Sequence, residues 1–324
     1  MSAIDKITAT IADEMVKFEP YFRKQLKSKV PLFGLITNYI IRRKGKQMRP
    51  AFVFLSAKLH GETNRSSHTA AAMIELLHTA TLIHDDVVDE AYERRGFFSI
   101  NALWKNKIAV LTGDFLLAKG LLLAVEEKEF DLLKIVSDSV QEMSEGELLQ
   151  IEKSRKLNIT EEVYFEIIRK KTATLISSCC GAGAKSAGAD DKTVERMMLF
   201  GKYVGIAFQI KDDIFDYQSK NLIGKPTGND IKEKKLTLPL IHVLNNVSSS
   251  DKKKYLRIIN RHNNNSKKVK EVIDFVTKNG GIDYSHTKMI EYKQKALDIL
   301  SEFPDSKAKQ SLSELVEYTT ERKI

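Results

Sequence analysis

Apolar residues recur at helical spacing along most of the chain. Ile4, Ile7, Ile11, Met15 and Phe18 fall three and four apart and predict an amphipathic first helix. Pro31 is expected to break it, with a second helix following through Ile41. Gly45 to Arg49 reads as a basic turn, and Pro50 suits the first position of the next helix. The loop GETNRSSH leads into an apolar run, AAMIELLHTATLIH. Beyond Gly96 helical patterns cover 101–107, 110–127, 131–153 and 161–187, and Thr160 before Glu161 and Glu162 supplies an N-terminal signal. Asp191 opens a further helix, and 218–236, with Gly224, Pro226, Gly228 and many charges, reads as a loop. Helices resume at Pro239 and run to the end, with breaks at Ser248–Ser250, Gly280–Gly281 and Pro304. No alternating strand pattern occurs, so the expected class is all-α. Six prolines and no Gly/Ser linker point to a single domain over 1–324.

Composition changes this picture little: 42% hydrophobic and 29% charged residues are ordinary for a globular protein. The net charge of +9 calls for an acidic partner: nucleic acid, an anionic membrane surface or a polyphosphate. The excess lies in dispersed lysines such as NSKKVKE, and no arginine-rich or aromatic–basic tract supports nucleic acid. Cys179 and Cys180 are adjacent, which suits small core residues in a reducing compartment rather than a staple or zinc site. The acid-containing N-terminus does not read as a signal peptide. No segment is expected to span a bilayer, and the expected location is cytoplasmic.

The chemistry concentrates in HTATLIHDDVVDEAYERRG, His78 to Gly96. Asp85 and Asp89 lie four apart near a predicted helix C-terminus, hence on one face. Two carboxylates repel there, and the helix dipole disfavours them further. A divalent cation relieves both problems, and Mg²⁺ prefers one or two carboxylates with water and phosphate oxygens. Asp86 lies between them, and Arg94 and Arg95 offer charge-assisted contacts to a phosphorylated ligand. KDDIFD repeats the pattern 127 residues later as Asp212, Asp213 and Asp216, again after an apolar run, GKYVGIAFQI. GKQMRP places Lys46 and Arg49 together as a cationic grip for a second diphosphate. His78 lies about two turns before Asp85. KTATL offers Lys171 and Thr172, Gln209 precedes Asp212 by three, and GKPTGND and KEKKLTLP bring Lys225 and Lys235 on a glycine-punctuated loop suited to cover bound phosphates.

Together these fragments closely resemble the trans-isoprenyl diphosphate synthases, or polyprenyl synthetases, from about Gly45 to Pro239. The resemblance implies an all-helical bundle around a central cavity, usually a homodimer. It implies Mg²⁺ as cofactor, with two ions on Asp85 and Asp89 and a third on Asp212, supported by Asp86, Asp213 and Asp216. Arg94, Lys171 and Lys225, with Lys235 nearby, would hold an allylic diphosphate. Lys46, Arg49, His78 and Arg95 would hold isopentenyl diphosphate. Thr172 and Gln209 would turn oxygen dipoles toward an allylic cation. The implied reaction is ionisation, condensation and elimination, giving a longer all-trans polyprenyl diphosphate that a membrane can receive. Lys105 and Lys234 stand where the family often carries glycine, and Phe97 and Phe98 where Lys-Pro is common. Ala80 and Thr81 lie roughly 6–7.5 Å behind Asp85 along the helix, and such small residues leave room for a long product of about C30 to C50, octaprenyl for example. The same two residues also suit close packing of two helices. Geranylgeranyl diphosphate is the alternative product. A terpene cyclase shares the aspartate logic but does not need the Lys46, Arg49, His78 and Arg95 grip.

Overall fold

The structure, a computed structural model, describes residues 3–42, 47–94, 96–218 and 227–321. Helix α1 (Ala3–Ile7) continues through a 3₁₀ turn (Thr8–Ile11) into α2 (Ala12–Gln25). Then follow α3 (Pro31–Arg42), α4 (Met48–His60) and α5 (Arg65–Val88). A two-residue antiparallel pair, β1 (Glu93–Arg94) and β2 (Phe97–Phe98), precedes α6 (Ile100–Glu126) and α7 (Phe130–Lys156). Helix α8 (Glu161–Ile168) passes through a π segment (Arg169–Ala173) into α9 (Thr174–Ser186), followed by α10 (Asp191–Tyr217). The remainder is α11 (Asn229–Lys232), α12 (Leu238–Asn246), α13 (Ser249–His262), α14 (Ser266–Lys278), α15 (Gly281–Ser301) and α16 (Lys307–Glu321). The all-α expectation holds, with the short β pair as its one exception among the described residues.

Several boundaries differ from the sequence reading for local reasons. The first helix ends at Gln25, and Pro31 opens α3 instead of breaking α2. Pro20 sits inside α2, so proline here is a weaker stop than its chemistry suggests. Helix α4 begins at Met48, which moves Arg49 from the expected basic turn into the first helical turn and Pro50 to its third position. Ser66 and Ser67 belong to α5, because Asn64 caps it in a reciprocal box with Ser67. The chain turns out of helical geometry in α6 at Lys105 (φ 73°, ψ 159°), not at 108–109. An unforeseen break at Asn263–Asn265 separates α13 from α14, where the Asn265 side chain accepts from the Lys267 and Lys268 N–H groups.

Two compact units emerge: Met1–Val140 with Ser178–Met198 and Phe303–Leu312, and Gln141–Ser177 with Leu199–Glu302 and Ser313–Ile324. The first has a core that includes Phe18, Phe52, Phe54, Met73 and Leu116, all essentially without exposure. Burying each such side chain is worth ~1.5–3 kcal/mol. Cys179 and Cys180 belong to it, buried and unpaired, and burial pushes the Cys180 thiol up to about 12. The second has its core on α8, α10, α12 and the α13–α15 helices, with Ile210, Ile214, Leu238, Ile259 and Val272 buried.

Among the described residues one helix, α6, is by length and composition apolar enough to cross a bilayer, a property that core helices share. Its inner stripe, Ala109, Leu116, Leu123 and Ala124, is covered. Val110, Leu111, Leu121, Leu122 and Val125 are exposed.

Candidate active site

In the first unit α5 carries the first aspartate cluster at its C-terminal end. Asp85 and Asp86 lie in the last turn and Asp89 is the C-cap, its N–H donating to the Asp85 carbonyl at 2.8 Å. Asp85 is half-buried and Asp89 exposed, one turn apart, while Asp86 is buried. The Asp86 carbonyl accepts from Ala91 N–H at 2.9 Å and from the Asn101 side-chain amide at 3.1 Å, which ties the turn after α5 to α6. Arg49, in the first turn of α4, donates its Nε–H to Glu75 of α5 at 2.9 Å. Glu75 stands three residues before His78, so Arg49 and His78 belong to one packed helix pair. Ala80 is fully covered, and half-buried Thr81 donates to the His78 carbonyl at 3.0 Å. Arg94 is the second residue of β1, just before a turn in which Gly96 takes φ 77°. Lys46 and Arg95 lie outside the described residues.

The second unit holds the other cluster on the last turns of α10. Half-buried Asp212 and buried Asp213 are adjacent, and Asp216 follows a turn later. Asp213 is enclosed by donors: Tyr164 of α8 gives its O–H to Oδ2 at 2.7 Å, and Gln209 its amide N–H to Oδ1 at 2.8 Å. The Asp216 carboxylate accepts from the Asn229 and Asp230 N–H groups at 2.9 and 3.0 Å, pinning the start of α11. Burial pushes the Asp213 and Asp230 carboxyls up, and repulsion among Asp213, Asp216 and Asp230 pushes the same way.

Lys171 and Thr172 sit in the π segment, a wider turn often found at functional sites. Thr172 donates to Gln209 Oε1 at 2.8 Å, and Lys171 pairs with Glu147 of α7. Two glycines let helices approach this turn. A Cβ on Gly146 of α7 would lie 2.9 Å from Lys171 N, and one on Gly205 of α10 would lie 2.4 Å from Ala173 Cα. A cavity of about 120 Å³ is lined by Tyr164, Lys171, Thr172, Gln209, Asp213 and Asp230, among others. Lys235 also lines it and pairs with Glu233. Lys225 lies outside the described residues.

Sequence reasoning passed over Tyr164, Glu147 and Asp230. Asp230 stands within the quoted GKPTGND fragment, and its acid in a basic stretch was the available signal. Tyr164 gives none, because an apolar-spaced tyrosine reads as core until its O–H is seen to meet a carboxylate.

The comparisons agree with this fold. Residues 30–276 match the family model Polyprenyl synthetase. The chain is 37% identical over 318 residues, 98% of its length and 97% of the relative's, to an all-trans-nonaprenyl-diphosphate synthase (geranyl-diphosphate specific) of Rhodobacter capsulatus. A crystal structure of a decaprenyl diphosphate synthase from Rhodobacter capsulatus superposes with a TM-score of 0.93 at 33% identity, covering 98% of both chains. A polyprenyl synthase from Caulobacter crescentus, complexed with calcium and isoprenyl diphosphate, gives 0.90 at 32% identity, again over 98% of both. The chain belongs to the polyprenyl synthetase family, whose named members here are transferases.

Proposed function

We propose that the chain is a divalent-metal-dependent prenyltransferase. It condenses isopentenyl diphosphate with an allylic diphosphate to make a long all-trans polyprenyl diphosphate. The observation that carries this is the pair of aspartate clusters at the ends of α5 and α10, in a chain similar along 98% of its length to a nonaprenyl diphosphate synthase. The whole chain acts as one catalytic domain.

The donor set fits Mg²⁺. Half-buried Asp85 and exposed Asp89 lie one turn apart, and Asp212 is half-buried beside a buried neighbour. Mg²⁺ keeps water and takes phosphate oxygens, so one or two carboxylates suffice to hold it. The calcium and isoprenyl diphosphate of the Caulobacter relative point the same way. Asp85 and Asp89 would hold two ions and Asp212 a third, with Asp86, Asp213 and Asp216 steadying them. When bound, these ions supply charge neutralisation on the leaving diphosphate.

The chain's own groups do the rest. Arg94, Lys171 and Lys225, with Lys235, bind the allylic diphosphate. Lys46, Arg49, His78 and Arg95 bind isopentenyl diphosphate without metal. Thr172 directs its proton to Gln209, which leaves lone pairs on both oxygens to favour a positive carbon. The double bond of isopentenyl diphosphate attacks that carbon, and the departing diphosphate takes the final proton. The small side chains of Ala80, covered, and Thr81, half-buried, are assigned to setting a product of hexaprenyl to decaprenyl length. The exposed apolar face of α6, with Leu121, Leu122 and Val125, fits a second copy in a homodimer. Buried, unpaired Cys179 and Cys180 suit a reducing, cytoplasmic setting.

Incubation with labelled isopentenyl diphosphate, an allylic starter and Mg²⁺, followed by chromatographic sizing, tests this reading. A Mg²⁺-dependent product of six to ten isoprene units is expected. A geranylgeranyl product would refute the long-chain assignment, and no elongation would refute the function.

A further inference from the structure

Within the second unit, α8, the π segment and α10 bring four side chains into one hydrogen-bonded line. Tyr164 donates to Asp213, Gln209 donates to the other oxygen of Asp213, and Thr172 donates to Gln209. Tyr164 and Asp213 are 3% and 4% exposed, and all four residues line the same cavity of about 120 Å³.

The direction of each bond follows from the chemistry of the ends. An ionised carboxylate only accepts, so Gln209 must turn its NH₂ to Asp213 and its carbonyl oxygen the other way. That oxygen receives the Thr172 proton. A flipped amide would set its oxygen against the carboxylate, acceptor against acceptor. Asp213 therefore decides how Gln209 faces, and Tyr164 holds Asp213. Asp212, one residue earlier and half-buried, is left to a different task.

We propose that Tyr164 is a positioning residue for the ionisation step. Through Asp213 it fixes the Gln209 amide, and so the direction in which Gln209 and Thr172 present their oxygens. The proposal rests on the prenyltransferase reading, in which those oxygens face the developing cation. Its effect belongs in the chemical step and not in substrate affinity, because Tyr164 reaches the cation only through the relay.

The test is a double-mutant cycle on Tyr164→Phe and Gln209→Met, read by rapid-quench single-turnover elongation with labelled isopentenyl diphosphate. Phenylalanine keeps the ring and removes one buried donor. Tyr164→Phe should slow the single turnover about tenfold, the order expected for losing a hydrogen bond to a charged group. The Michaelis constants of both substrates should stay within about twofold. In the Gln209→Met background Tyr164→Phe should cost nothing further, because the relay is already cut. Equal slowing in both backgrounds, or an unchanged turnover in folded Tyr164→Phe, overturns the proposal. If Tyr164→Phe does not fold, Tyr164→Met fills the space of the ring with a flexible apolar chain, removes the same bond and enters the same cycle, where additivity again overturns it. Wild-type elongation in the same assay tests the underlying reading separately: with it intact, an additive cycle sinks only the relay.

Discussion

Lys105 and Lys234 hold backbone conformations that favour glycine. Lys105 has φ 73° and ψ 159°, and Lys234 has φ 58°. Both are positions where the family often carries glycine, so the chain keeps the turn while carrying a side chain that strains it. Relieving Lys105, whose region is nearly glycine-only, should stabilise the protein by ~1–3 kcal/mol, less the entropy glycine loses on folding. We expect Lys105→Gly to raise the thermal midpoint by a few degrees, and Lys234→Gly by less; a fall in both, read by circular dichroism, would contradict the strain argument. A second residue-scale outcome concerns Arg49. Glu75 orients its guanidinium. Arg49→Ala should raise the Michaelis constant for isopentenyl diphosphate roughly tenfold to a hundredfold, as one lost ionic contact implies. An equal rise for the allylic partner would show the grip to be misassigned. The aspartates themselves were legible because their spacing is chemical information. The strain at Lys105 was legible only as a departure from a family habit, and the Tyr164 contact was not legible, since it depends on how α8 meets α10.

At the scale of elements, the π segment carries most of what the sequence did not announce. A pattern of apolar positions predicts a continuous helix over 161–187, and the chain is indeed helical there. The widened turn at Arg169–Ala173 depends on backbone approach from Gly146 and Gly205, which are distant in sequence. Gly205→Val should therefore push α10 away from Ala173 and break the Thr172–Gln209 bond. We expect a loss of ~1–3 kcal/mol of stability from overpacking, and a fall in turnover larger than that of an equally destabilised surface variant. Unfolding curves and steady-state rates measured together decide it, and native activity would show the close approach to be incidental. On α5 the two small residues behind the aspartates differ: Ala80 is fully covered and Thr81 is half-buried. A tyrosine at either position should shorten the product while leaving early condensations intact. Unchanged product length in both folded variants, by reverse-phase chromatography, would place the ruler elsewhere.

At the scale of the molecule, the residues assigned to the reaction divide between two compact units. Arg49, His78, Asp85, Asp86 and Asp89 belong to one. Lys171, Thr172, Gln209, Asp212, Asp213, Asp216 and Lys235 belong to the other. Neither carries both aspartate clusters. The helical class was readable from periodicity, because each long helix shows a covered stripe. Helix α6 carries a covered inner stripe and exposed Leu121, Leu122 and Val125, so it is apolar on more than one face.

The most direct measurement of the account is a Mg²⁺ titration of elongation in the wild type, Asp85→Ala and Asp212→Ala. Each substitution removes a carboxylate proposed to hold metal, while relieving like-charge repulsion in the metal-free protein. The account predicts folded variants whose turnover falls by at least on the order of a hundredfold, with excess Mg²⁺ failing to restore it. Near-normal turnover of Asp85→Ala at saturating Mg²⁺ would contradict it.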